Sequence, residues 1–424
     1  MQETEKPYRG PAFAASLRHR TFRVFYGGLV LSSFGGNFTQ IAISWQMYEL
    51  TGSALHLGLL GLSRAASLIP FLLVGGMLAD AVDRRKLLMF TQAGHLVITA
   101  GLLVLTASEL ISPGIFYIAA IVGSVFTALE NPARQAIVPN LVPEADLTNA
   151  IALNASQRSV SSIAGPPIAG IILGFLGPVA NYSVTVFSFA VMIVILALIR
   201  PLRAQESRGR RSVSLQSLAQ GFAHVRANPI LFVMMLLDFC QNFLGAARAL
   251  LPIYASDILN AGPQGFGLLS GASAVGSITG GVVMGTLGRV RRAGIGVLIG
   301  ITIFGVCTVL FAYNTSFVLA YVLIFGEGFG DTVSHVLRST ILQLNVPDEL
   351  RGRVTSLNQV FVNGGGPLGS FRAGGMAALF GPELAVLSGG VIVLMIVAFV
   401  ATCVPSVRRY TLESDRPVPA GHQT

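Results

Sequence analysis

The chain is short of charge. Only 11% of its 424 residues are Asp, Glu, Lys or Arg, and 53% are hydrophobic. A soluble domain carries roughly 25% charged residues, so most of this chain must be solvated by lipid or by other apolar helices. Cysteine is scarce too. Cys240, Cys307 and Cys403 each lie in an apolar run, are odd in number and have no metal spacing, which excludes a disulfide scaffold and a zinc module. The phosphate-cradling pattern G-x-x-x-x-G-K-[ST] is missing, which argues against ATP as energy source. No His, Cys and carboxylate cluster has metal-ligand spacing, so no metal and no cofactor are expected. Nothing points to an enzyme. Met1 to Arg20 is polar, with no apolar stretch leading to a cleavage site, so no signal peptide is expected.

What the chain has is apolar runs. A membrane crossing needs about 20 mostly apolar residues. Twelve runs qualify, near 22–48, 54–79, 87–107, 114–138, 148–176, 179–199, 229–255, 264–288, 294–313, 316–343, 352–380 and 384–405. The net charge of +9 does not mean nucleic acid, because the bases sit in the short gaps between runs. With the N-terminus inside, the cytoplasmic gaps hold Arg84, Arg85, Lys86, Arg203, Arg208, Arg210, Arg211, Arg291, Arg292, Arg408 and Arg409. The opposite gaps, around Thr51, Ser112, Pro178, Asn260, Asn314 and Pro382, hold no Lys or Arg. The positive-inside rule then places both termini in the cytoplasm, in a cytoplasmic (inner) membrane.

The second and third runs are joined by Gly76-Met77-Leu78-Ala79-Asp80-Ala81-Val82-Asp83-Arg84-Arg85-Lys86. So short a link makes the two runs an antiparallel pair. Its pattern, G-x-L-A-D-x-x-x-R-R-K, resembles the signature loop between helices 2 and 3 of the major facilitator superfamily. That family usually has a base after the aspartate and a glycine before the basic run, where Ala81 and Asp83 stand here. The resemblance implies a cytoplasmic gate built from Gly76, Asp80, Arg84 and Arg85, with Arg134 and Arg338 as repeat-related gate or packing residues.

The chain repeats itself. A shift of 204 residues carries Arg134, Val142, Pro143, Asn154, Gly165, Gly170, Gly177 and Pro178 onto Arg338, Val346, Pro347, Asn358, Gly369, Gly374, Gly381 and Pro382. Two parallel repeats of six spans are what the superfamily uses. The expected fold is therefore an all-α integral membrane protein, with twelve transmembrane helices in two pseudo-symmetric six-helix bundles. Residues 1–21 form the cytoplasmic N-terminus, 22–199 the first bundle, 200–228 a linker, 229–405 the second bundle and 406–424 the tail. Leu215 to Val225 reads as a short helix on the membrane surface. Asn131-Pro132-Ala133-Arg134-Gln135-Ala136-Ile137-Val138-Pro139 resembles the superfamily's exporter branch, which holds enterobactin and macrolide exporters.

Gly165, Pro166 and Gly170 in the fifth run resemble the G-P-x-x-x-G core of the superfamily's antiporter motif, with Ala169 where a glycine is usual. Charges within runs are functional candidates by default. Glu327, Asp331, Asp238 and Glu130 are the proton-coupling candidates. Glu130, Glu327 and Asp331 have no acid at the repeat-equivalent Ser334, Gly123 and Thr127. By distance from bases, Glu327 and Asp331 rank first, Asp238 next and Glu130 last. Glu130 has Arg134 one turn away and reads as ionised and structural. Arg64 and Arg372 fall toward the outer halves of their runs and are candidates for an outer gate. Asn37, Gln40 and Ser44 share one helix face. With Asn154, Gln157, Arg158, Gln241, Asn242, Asn358, Gln359 and Asn363, they are the cavity candidates. Trp45, Tyr254, Phe329 and Phe361 could stack on an amphipathic substrate.

Composition, runs and repeat describe a membrane protein of secondary-transporter type. The resemblance adds direction and coupling: export of a small amphipathic or hydrophobic compound, drug- or siderophore-like, by proton antiport and alternating access. The implied partners are that compound, protons and the lipid bilayer, with no nucleic acid, and the protein is expected to be a monomer. A uniporter or importer of a metabolite would share the fold. A non-transporting sensor or scaffold would predict dispensable intramembrane charges.

Overall fold

A computed structural model describes residues 12–81, 83–199, 222–288 and 290–411. Most of the expected surface helix Leu215 to Val225 lies outside these residues. The long helices are α1 (Arg20–Thr51), α2 (Ala54–Ala81), α3 (Arg84–Ala107), α4 (Pro113–Ile137), α5 (Leu147–Leu198) and α6 (Pro229–Leu244). They continue as α7 (Gly262–Leu287), α8 (Ala293–Ala312), α9 (Phe317–Asn345), α10 (Asp348–Phe380) and α11 (Pro382–Cys403). No strand occurs among the described residues.

Helix boundaries follow local chemistry. Asp83 caps α3, accepting from the backbone N–H groups of Arg85 and Lys86, as a short carboxylate does at a helix start. Proline opens α4, α6 and α11, where its missing N–H costs nothing. The 52 residues of α5 would span about 78 Å, far beyond a hydrocarbon core of about 30 Å. The helix is broken at Gly177, which takes φ 78° and ψ 178°, and Pro178 starts the return. Its repeat mate Gly381 takes φ 88° and ψ 156° ahead of Pro382. Both positions need a residue without a Cβ, and their equivalence is the sequence repeat written into the backbone.

Nine stretches of the described residues are long and apolar enough to cross a membrane. One of them contains the whole of α5. Counting α5 twice and adding the more polar α1 and α10 is consistent with the twelve crossings expected.

The chain divides into two compact units, Met1–Ile43 with Pro70–Ser212 and Ser44–Ile69 with Val213–Thr424. In the first, α3 packs on α4 and α5. Phe22, Phe25 and Leu29 of α1 join Leu88, Ile137, Met192 and Leu196 in one core. In the second, α9 packs against α7 and α8, and α10 against α6 and α11. The C-terminal end of α1 and the N-terminal half of α2, Ser44–Ile69, belong to this second unit: Trp45 stacks on Phe266 with ring centroids 6.1 Å apart, and the Tyr48 hydroxyl donates to the Asp257 carboxylate.

The α7–α9 contact has almost no side-chain thickness. A Cβ on Gly276 would collide with the Phe325 carbonyl, and one on Gly328 with the Ser273 carbonyl. Backbone cannot yield as a flexible side chain can. Gly328→Ala is therefore expected to cost about 1–3 kcal/mol by overpacking, seen as a lowered Tm of the purified protein. An unchanged Tm would show that these helices have room to part.

Candidate functional site

In the second unit the intramembrane charges gather around Arg338 of α9. Its Nη2 lies 2.7 Å from Asp238 Oδ1 of α6, and its Nη1 donates to Gln241 Oε1 at 2.9 Å. Gln241 Nε2 donates to Asp331 Oδ1 at 2.8 Å, and Asn242 reaches the Asp238 backbone oxygen at 2.9 Å. Arg338, Asp238 and Gln241 are all buried. One arginine thus holds two of the four acids, one directly and one through an amide. Low dielectric strengthens such a chain and makes any unpaired member costly.

Glu327 stands apart from that network. It is fully buried on α9, at 0% exposure. Its Oε1 accepts from Thr308 Oγ1 of α8 at 2.8 Å, while Oε2 has no partner among the described residues. The charged groups whose fields reach it are Arg248 and Asp331. Arg248 lies in the turn Ala246–Leu250, close ahead of a π-helical turn, Tyr254–Ile258. Within spanning helices such turns occur often at functional positions.

The first unit has its own titratable pair. His95 Nε2 of α3 lies 3.6 Å from Glu130 Oε2 of α4, and the imidazole stacks on Phe189, with centroids 5.4 Å apart. Arg134, one turn from Glu130, donates to Asn131 Oδ1 at 3.1 Å. A count of carboxylates and arginines passes over His95. Its signal is a single imidazole inside the apolar run 87–107.

The amides foreseen as cavity residues are only partly engaged. Asn37 donates to the Ser33 and Ser161 carbonyls at 2.9 and 3.1 Å. Gln157 donates to Ser161 Oγ at 3.1 Å. Asn154 Oδ1, Gln157 Oε1 and Asn358 Oδ1 are buried with no partner among the described residues. Asn363 bonds only to Gln359 of its own helix. Gln40, Arg158 and Gln359 are exposed, and Ser44 is half-buried. Buried polar atoms are normally satisfied, and these three oxygens, two on α5 and one on α10, are exceptions. Of the aromatics, Phe361 meets Phe239 edge-on at 5.9 Å, and the Tyr254 hydroxyl donates to the Ala312 carbonyl at 2.8 Å.

The basic loop is pinned to its own unit. Arg84 donates to the Ala136 carbonyl at 3.1 Å, and Arg85 to the Leu196 and Ala197 carbonyls at 2.6 and 2.8 Å. These bonds neutralise helix C-terminal carbonyls. The side chains of Gly76 and Asp80 lie outside the described residues, so the gate role of Asp80 stays an expectation from the resemblance.

The glycine motif of the fifth run meets α1. A Cβ on Gly165 would lie 2.9 Å from Asn37 Cβ. A Cβ on its repeat mate Gly369 would lie 2.5 and 2.8 Å from the Phe243 and Asn242 carbonyls of α6. The same close approach therefore recurs in both units. Gly165→Leu is expected to insert and fold but to lose most transport, read as normal membrane yield with accumulation near background. Full accumulation by a well-expressed Gly165→Leu protein would show that this contact has no part in transport.

Residues 12–421 match the family described as transmembrane secretion effectors. The chain is 24% identical to macrolide efflux protein A of Streptococcus pyogenes over 413 residues, covering 92% of this chain and 98% of that one. It is also 24% identical to the enterobactin exporter EntS of Escherichia coli over 392 residues, covering 92% and 94%. Among solved structures, the nucleoside transporter NupG superposes with a TM-score of 0.72 at 13% identity, covering 92% and 99%. A bacterial homologue of the iron transporter ferroportin, in an inward-facing state, gives 0.67 at 14%, covering 90% and 99%. At such identities the solved structures speak for the fold alone. The match along nearly the whole chain, with the repeat and the all-helical architecture, carries the assignment: this chain belongs to the transmembrane secretion effectors of the major facilitator superfamily, and is a multi-pass membrane transporter, not an enzyme.

Proposed function

We propose that the protein exports a small amphipathic compound from the cytoplasm by alternating access, exchanging it for protons. The observation that carries the proton part is Glu327. An ionised carboxylate without a hydrogen-bonded base is costly inside a membrane protein. A proton on Oε2 removes that charge and leaves the Thr308 bond in place. Access of water to the same carboxyl in another conformation would release the proton. Asp238 and Asp331 are tied to Arg338 and Gln241 and serve better as the switch that responds than as the carrier. Glu130, beside His95, is the remaining acid. The relatives named for macrolide efflux and enterobactin export support the outward direction. The one-sided distribution of Lys and Arg supports cytoplasmic termini in the cell's inner membrane.

The test uses everted membrane vesicles energised acid-inside and offered a mixed panel of amphipathic compounds. The expected result is uphill accumulation that collapses when a protonophore dissipates the gradient. Accumulation that only equilibrates, with counterflow independent of pH, would replace export by a uniporter. Vesicles that move nothing would favour the sensor or scaffold.

A further inference from the structure

Arg64 has no use in the scheme above. It lies ten residues into α2, about 15 Å along the helix axis and so deep in the hydrocarbon layer. In the unit that contains it, Arg338 and Arg372 are both answered. Arg338 is paired with Asp238. Arg372 donates to the Phe243 and Leu244 carbonyls at 3.2 and 2.6 Å. Arg248 is exposed, and its field reaches Glu327. Among the described residues no carboxylate and no carbonyl meets the Arg64 guanidinium, although the residue is half-buried. A cation held in a membrane protein without a counter-charge is a functional signal rather than a packing solution.

The surroundings leave room for an occupant. α2 lies flat on α10: a Cβ on Gly58 would sit 3.0 Å from the Gly374 Cα, and one on Gly61 2.8 Å from the Pro367 carbonyl. Further along α2, Ile69 reaches Gly364. Arg64 therefore stands level with Gly364 to Pro367, where α10 has three successive glycines. A Cβ on Gly366 would meet nothing within 4 Å, so space is open at this level. The helical turn puts Arg64 beside the contact face and not on it. The close glycine contacts above and below fix the helix that carries it.

We propose that Arg64 binds the anionic group of the transported molecule, so that the cargo is an amphipathic organic acid such as a carboxylate, sulfonate or phosphate. The guanidinium offers a planar fork of donors that matches two oxygens of such a group, and Gly366 leaves the space those oxygens occupy. Phe239, Phe243 and Phe361, clustered on α6 and α10, supply an apolar surface in the same unit for the rest of the molecule. The inference deepens the export reading and rests on it.

Two measurements test it. In acid-inside everted vesicles, naphthalene carboxylate and sulfonate are offered together with the matching naphthalene amides and a naphthyl quaternary ammonium. The anions are expected to accumulate in the parent about tenfold above the amides, the worth of one charge-assisted pair. Arg64→Gln is expected to bring them down to the amide level, and Arg64→Lys to retain part of the preference. Cations or amides accumulating as well as anions, or an anion preference that survives Arg64→Gln, would overturn the anion site and leave export standing. The second measurement is titration of naphthalene sulfonate against the purified protein in nanodiscs, which needs no transport. About tenfold weaker binding by Arg64→Gln than by the parent is expected. Equal binding, or no binding to the parent, overturns the proposal even if the vesicles move other compounds. Loss of gradient-driven movement with sulfonate binding intact would instead overturn export and keep the site.

Discussion

Glu327→Gln is expected to end uphill export while leaving the protein folded and able to bind its cargo. The amide is close to the protonated acid in shape and charge. It can still accept from Thr308 Oγ1 through its carbonyl oxygen, preserving the 2.8 Å contact made by Oε1. What it cannot do is release a proton. A carrier locked in the protonated form exchanges cargo across the membrane but draws no work from the gradient. Accumulation should fall to the equilibrium level, with counterflow retained. Substrate-induced proton release from purified protein should fall in parallel. Asp331→Asn should leave much of that release intact, because Asp331 is held by Gln241 and is not alone in the interior. Uphill export by Glu327→Gln at the parent level would remove Glu327 from the coupling step.

Much of the fold was legible in the sequence because a membrane simplifies the problem. Every backbone polar group must be satisfied inside the segment, so an apolar run of about 20 residues reads as a helix with few competitors. The basic gaps and the repeat added connectivity. Gly177-Pro178 and Gly381-Pro382 were visible as repeat mates before their positive φ angles explained the match. The site was less legible. Asp238 and Arg338 are 100 residues apart, and no base on α6 itself foretells their pairing. Glu130 looked bound to Arg134 by helical spacing alone, yet the structure also brings the His95 imidazole to within 3.6 Å of it, from a neighbouring helix. Spacing along one helix reports only which side chains share a face. Which faces then meet is decided by packing, here by glycine contacts such as Gly165 on Asn37 and Gly369 on α6.

The same network supplies the other large effect, in stability. Arg338 is 2% and Asp238 4% exposed, so each is the other's answer to burial. Arg338→Met leaves the Asp238 carboxylate without its cation, and Asp238→Asn leaves the guanidinium with Gln241 alone. Breaking a buried pair from one side typically costs about 3–5 kcal/mol, whereas replacing both partners by neutral groups is often close to neutral. Each single variant is therefore expected to lose much of its folded yield and to melt well below the parent. The double variant Asp238→Asn with Arg338→Met should recover most of that loss, so the effects should be far from additive. The measurement is a double-mutant cycle on Tm and on monodisperse yield in detergent. Export gives an independent readout, since the proposed coupling requires this network to change partners when Glu327 takes up or releases its proton. The double variant should be stable and poorly coupled. Additive Tm losses would mean that the 2.7 Å contact contributes nothing beyond its separate halves. A stable double variant with full gradient-driven export would leave the pair with a structural role only.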